Sequence, residues 1–228
     1  MSFKKDESML WNASALNGYP IAATDGQIGT VSDLLYDESG WEIRWLVVDT
    51  GDWLSGRRAL LPVSALGQAD PETKRWPANL TMRQVEECPD VDASEPLSRE
   101  MEIMVRNHYG LSAGQERADP GVRSLSEITG GAIETTDGEI GHAEDFLIDT
   151  ALWQVRYLVV HTSSWWPGEK FLLSPLSIDW IDWARSIIHL HVTRQKVKDS
   201  PPYVAAETVD GAFEELFETY YGIRWVRR

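Results

Sequence analysis

Displacing the 228-residue chain by 112 positions brings it into register with itself. Asp25-Gly26-Gln27-Ile28-Gly29 falls on Asp137-Gly138-Glu139-Ile140-Gly141. At the same shift Trp41, Arg44 and Leu46-Val47-Val48 fall on Trp153, Arg156 and Leu158-Val159-Val160. From Ser14 to Leu66, 21 of 53 positions are identical without a gap. The register lasts to the end of each copy, where Tyr109-Gly110 matches Tyr221-Gly222. A shift that survives strands, loops and helices marks a duplication. The chain therefore divides into two tandem domains, 1–112 and 113–228, and any fold must be built twice.

Within a copy, hydrophobic period separates strands from helices. Tyr19–Ala23 and Ile28–Asp37 flank the Asp25-Gly26 turn, whose residues tolerate φ > 0. Ile43–Asp49 is rich in branched and aromatic residues and reads as a strand. Ala59–Pro62 is a fourth strand and Asn79–Met82 a fifth. Short strands joined by Gly/Asp turns predict a small barrel, which leaves few open edges. The period then lengthens to 3.6: Met101, Met104, Val105, His108 and Tyr109 share one helical face, as do Phe213, Leu216, Phe217, Tyr220 and Tyr221. Ser98 and Asp210 are N-caps, and Gly110 and Gly222 end the helices. Shorter helices follow Thr81 and Thr193, before Pro89 and Pro201. Polar Gln115–Arg123 reads as the link. The expected fold is mainly β with helical tails: two tandem small barrels, each followed by short α-helices.

Composition narrows the partners. A net charge of −15 repels phosphate backbones and anionic headgroups, so nucleic acid and bare membrane are not expected partners. No apolar run is long enough to span a bilayer, so no membrane insertion is expected. The N-terminus shows no signal-peptide core. One cysteine, Cys88, excludes an internal disulfide; the expected location is cytoplasmic. Eleven tryptophans supply aromatic surface for contacts.

The Asp-Gly-x-Ile-Gly turn (25–29, 137–141), the strand ending in Asp37 or Asp149, the Val-Val strand, the Trp/Gly loop and the strand into Pro62 or Pro175 together resemble the PRC-barrel family. The resemblance covers about 55 residues in each copy, and the helical tails look like those of stand-alone bacterial tandem members. Relatives include the cytoplasmic domain of the photosynthetic reaction centre H subunit and the C-terminal domain of a ribosome-maturation factor. It implies a small barrel without catalytic activity that serves docking or assembly. Neither an anchor like that of the first relative nor an RNA-associated domain like that of the second is expected here, so neither role is expected to transfer.

The repeated charged positions are Asp33/Asp145, Arg44/Arg156 and Asp37/Asp149. They are read as structural, each arginine pairing with an aspartate of the neighbouring strand; a ligand-capturing patch is the alternative. His189 and His191 alternate on one strand face, but Pro77 and Asn79 replace them in the first copy. No third ligand is identifiable, so no metal is expected and the pair is read as solvent-facing on an edge strand. His161 replaces Asp49 as a surface variation. Nucleophile elbow, phosphate-binding loop and dinucleotide fingerprint are absent, so neither enzyme nor cofactor is expected. The interaction candidates are Trp53 and Leu54, with Trp165 and Trp166, at hairpin tips that would ordinarily be polar; the opposing reading has the tips capping their own barrels. The helical stripes are equally open, covering their own barrels or forming a homodimer interface. The functional expectation is a non-enzymatic protein-binding or assembly module. The alternative is a small-ligand or metal binder using the cleft between the barrels.

Overall fold

The branched and aromatic runs become the centres of two sheets. The computed structural model describes residues 10–69, 74–91, 96–111, 121–162 and 168–223. In chain order, β1 (Leu10–Asn12) and α1 (Ala13–Leu16) precede β2 (Pro20–Ala22), β3 (Gln27–Asp37), β4 (Ile43–Asp49), β5 (Arg58–Pro62) and β6 (Trp76–Pro77). Helices α2 (Met82–Glu86) and α3 (Arg99–His108) lead to β7 (Val122–Ser124). The second series is β8 (Ala132–Thr135), β9 (Gly138–Asp149), β10 (Gln154–His161), β11 (Lys170–Leu173), β12 (Ile178–Asp182) and β13 (Ile187–Leu190), with α4 (Arg194–Lys198) and α5 (Gly211–Tyr221).

The described strands form two sheets. One has the order β5-β4-β3-β2-β6 with β7 on β3; the other has β11-β10-β9-β8-β13-β12 with β1 on β9. Their pairings repeat at the shift of 112. Ile21 opposes Trp76 in a parallel pair, as Ile133 opposes Ile188. Register shifts fall around Ser32 and Arg44 in one sheet and around Glu144 and Arg156 in the other. An extra residue at a bulge bends the strand and re-aims a side chain. Both arginines sit at such positions.

Contacts divide the chain between Ser14 and Ala15 and between Ser126 and Glu127. Both divisions lie just beyond the first strand of a copy, so each first strand belongs to the unit built mainly from the other. β7 runs antiparallel to β3, with Leu35, Tyr36 and Asp37 opposite Ser124, Arg123 and Val122. β1 takes the same register on β9, with Leu147, Ile148 and Asp149 opposite Asn12, Trp11 and Leu10. Val122 and Arg123, read from sequence as linker, are strand; most of the expected linker lies outside the described residues.

Local chemistry explains the repeated turn motif. The carboxylates of Asp25 and Asp137 accept the N–H of Met82 and Arg194, each at 2.8 Å, and so cap the starts of α2 and α4. Ile28 and Ile140 are fully buried. A Cβ on Gly29 or Gly141 would lie 2.0 or 2.1 Å from the carbonyl oxygen of Asp49 or His161. Only glycine lets these strands approach so closely. The expected fifth strand at Asn79–Met82 does not form, because capping wins there: Thr81 accepts from Gln84 N–H and Gln84 reaches back in a capping box. The short strand falls earlier, at Trp76–Pro77.

Each long helix covers its own sheet. Val105, with Met101 and Tyr109, packs against Leu35, Trp45, Val47 and Leu60. Phe217, with Phe213 and Tyr221, packs against Leu147, Tyr157, Val159 and Leu172. Ser98 and Asp210 cap the two helices as the sequence indicates.

Candidate functional site: repeated polar ties and an exposed helix position

The bulged arginines tie helix to sheet. Arg156 Nη2 lies 3.0 Å from Glu214 Oε1, with both side chains nearly excluded from water. At the equivalent place Arg44 Nη1 lies 3.2 Å from Glu102 Oε1, and Arg44 Nη2 lies 3.2 Å from Asp37 Oδ2. Trp45 Nε1 also donates to Glu102 Oε1 at 3.3 Å. Arg44 thus meets an aspartate of the adjacent strand, as expected, but its helix partner was not foreseen. Glu102 and Glu214 stand 112 residues apart, so the repeat itself carried that signal.

Asp33 and Asp145 do a different job. Asp145 is buried and accepts Asn12 Nδ2 at 2.8 Å, Ser14 Oγ at 2.5 Å and Ser14 N–H at 3.1 Å. Asp33 accepts the hydroxyls of Ser124 and Ser126. Each aspartate also accepts the N–H of the residue after it. The repeated aspartates therefore hold the β1 and β7 segments. Asp37 and Asp149 shape the next turn: Asp37 Oδ1 accepts Gly40 N–H at 2.7 Å, and Asp149 Oδ1 accepts Ala151 N–H at 3.0 Å.

Trp53 is half-buried in a 3-10 turn over Gly51–Leu54, and its Nε1 donates to the carbonyl oxygen of Ile28. Leu54 is half-buried beside it. This tip folds back on its own sheet. Trp165 and Trp166 lie outside the described residues.

The histidines separate. β13 is flanked by β8 and β12, so His189 is on an internal strand rather than an edge. Its ring stacks on Trp180 at 3.8 Å and its Nδ1 lies 3.4 Å from Glu134. His191 falls beyond the strand end and is exposed. His161 opposes His142 across β9 and β10, with rings 5.2 Å apart. Among the described residues no group of three His, Cys, Asp or Glu is arranged to hold a metal ion.

Burial sets the titration of three tyrosines. It pushes the hydroxyls of Tyr109, Tyr157 and Tyr221 above the ordinary phenol range and raises the Cys88 thiol. Tyr109 donates to Leu60 O at 2.8 Å next to Cys88.

The helical stripe is narrower than its period suggested. Met104 is 53% exposed, and Leu216, its counterpart, 57%. His108 turns aside, with a ring nitrogen 2.6 Å from Gln84 O. Periodicity put Met104 and Leu216 on the stripe whose use was open between covering the sheet and meeting a second copy; neither is covered by its own sheet.

Bulged strands around a repeated Asp-Gly-x-Ile-Gly turn, with a helix packed on each of two sheets, define a mainly β class of protein. Residues 12–76, from the end of β1 to the start of β6, match the sequence profile of the PRC-barrel domain. By that segment the chain is similar to the PRC-barrel family. No curated protein matches it. No described helix is long and apolar enough to cross a membrane.

Proposed function

We propose that the chain is a non-enzymatic protein-binding or assembly module built from two pseudo-symmetric PRC-type barrels. The observation that carries this reading is the apolar residue kept in water at the same place in both copies, Met104 on α3 and Leu216 on α5. An isolated exposed apolar side chain is ordinary on any surface. Recurrence at equivalent positions, beside exposed Ile103 in the first copy, is not scatter. Removing such side chains from water on a partner stabilises association by roughly 25 cal/mol per Å² before ordering costs. The partner is a protein, a second copy included, rather than nucleic acid, in keeping with the net charge of −15. A lone buried cysteine suits the reducing cytoplasm.

The test compares wild type with Met104→Ser/Leu216→Ser. Circular dichroism establishes that both are folded, light scattering reads self-association, and cross-linked capture from native extract reads other partners. Loss of an association in the variant supports the proposal. An unchanged set of associations, or a wild type that associates with nothing, overturns it.

A further inference from the structure

Two different segments occupy equivalent places on two equivalent sheets, and their common chemistry defines what those places recognise. Leu10-Trp11-Asn12-Ala13-Ser14 lies against β9, and Val122-Arg123-Ser124-Leu125-Ser126 lies against β3, in the same antiparallel register. The first residue is apolar in both. Val122 is buried in the cluster around Trp45 and Leu60, and Leu10 packs on the cluster around Tyr157 and Phe217. The third residue donates from its side chain to one carboxylate oxygen, through the Asn12 amide to Asp145 Oδ2 at 2.8 Å and through the Ser124 hydroxyl to Asp33 Oδ2. The fifth is serine in both, and its hydroxyl donates to that same oxygen, at 2.5 Å from Ser14 and 2.9 Å from Ser126. The second residue changes from Trp to Arg and the fourth from Ala to Leu without disturbing this arrangement.

We infer that each sheet carries a strand-acceptor site reading an extended apolar-x-(Asn or Ser)-x-Ser segment, with Asp145 and Asp33 as the reading residues. Backbone pairing along β9 or β3 supplies sequence-independent attachment, and the carboxylate supplies the selectivity, as in other cases where a peptide adds a strand to a sheet. An ionised carboxylate accepts without donating. Only a segment that brings side-chain donors at its third and fifth positions satisfies Asp145 Oδ2, because the N–H groups of Ser14 and Phe146 both go to the other oxygen, Oδ1. Hydrogen bonds to a charged group are the stronger kind, so losing one lowers affinity by about tenfold. The occupant fitted to the site is this chain's own segment, and a peptide of the same pattern is the partner it will take in its place.

The test opens the site in the full chain. Asn12→Asp/Ser14→Asp sets like charges against Asp145 and expels the segment. Two fluorescent peptides are then titrated by anisotropy, one with residues 7–15 (Glu-Ser-Met-Leu-Trp-Asn-Ala-Ser-Ala) and one with residues 119–127 (Asp-Pro-Gly-Val-Arg-Ser-Leu-Ser-Glu). Both are expected to bind the opened chain at least about tenfold more tightly than wild type. The same factor is expected over peptides carrying alanine at the two donor positions. Adding Asp145→Ala to the opened chain is expected to remove that discrimination. Binding of the first peptide alone, or equal binding of the alanine peptides, overturns the inference. A second measurement needs no opened site: Leu10→Val/Trp11→Arg/Asn12→Ser/Ala13→Leu grafts the other segment into place. This chain is expected to melt within a few degrees of wild type, and Asn12→Ala/Ser14→Ala well below it. A graft that melts as low as the alanine variant refutes the shared pattern.

Discussion

The same Arg–Glu tie is buried in one copy and half-open in the other. Arg156 and Glu214 have side-chain exposures of 3% and 9%, whereas Arg44 and Glu102 have 26% and 12%. Arg44 spreads its charge over two carboxylates, Glu102 and Asp37. The comparison separates geometry from solvation: the bulge, strand and helix position are shared, and water differs. A tie in partial contact with water loses little when cut, because the abandoned charge is resolvated. A buried one leaves an uncompensated ion.

The largest expected effect follows. Arg156→Ala is expected to destabilise its unit by about 3–5 kcal/mol, and Arg44→Ala its own by about 1–2 kcal/mol, between the buried and exposed limits. Chemical denaturation followed unit by unit measures both, and equal losses would break the comparison. It is sharpened by Arg156→Met/Glu214→Leu, which is expected to lie within about 1 kcal/mol of wild type or above it, because an apolar pair needs no compensation.

A smaller effect is expected where the copies exchange Cys88 for Ser200. Cys88→Ser installs the second copy's residue beside Tyr109 and is expected to shift stability by about 1 kcal/mol or less. The buried thiol, with its raised pKa, is expected to react with iodoacetamide only on unfolding, read by mass spectrometry across a denaturant series.

The smallest effect is that of the Asp137 cap. The N–H of Arg194, then the Thr135 hydroxyl, hold its carboxyl below the ordinary carboxylate range. A depressed folded pKa contributes stability that is present above the unfolded value of about 4 and is lost as pH falls through the folded one. Asp137→Asn is therefore expected to lower the melting temperature slightly at neutrality and to flatten its dependence on pH below about 4. An unaltered acid limb would remove Asp137 from the pH response.

What was legible in the sequence was whatever the period of a single element decides. The strand at Ile43–Asp49 and the caps Ser98 and Asp210 follow from alternation and from local hydrogen bonding. The segments Leu10–Asn12 and Val122–Ser124 were not legible, because three residues are too few to show a period and their order comes from a distant sheet. Asp33 and Asp145 were found by repetition but not understood, since their partners lie across the copy boundary. The helical stripes were legible as stripes, but period gives direction and not what covers it, so the exposure of Met104 and Leu216 was not legible.

The traded first strands also set an order of assembly. Ser124 reaches Asp33 across 91 residues, whereas Asn12 reaches Asp145 across 133. On a ribosome the Ala15–Ser126 unit can complete itself from one unbroken stretch. Leu10–Asn12, made before β9, must wait for it to be paired. Until then the apolar Leu10-Trp11 stretch stands in water as an unpaired strand, the state in which a chain is most open to chaperones and to its neighbours.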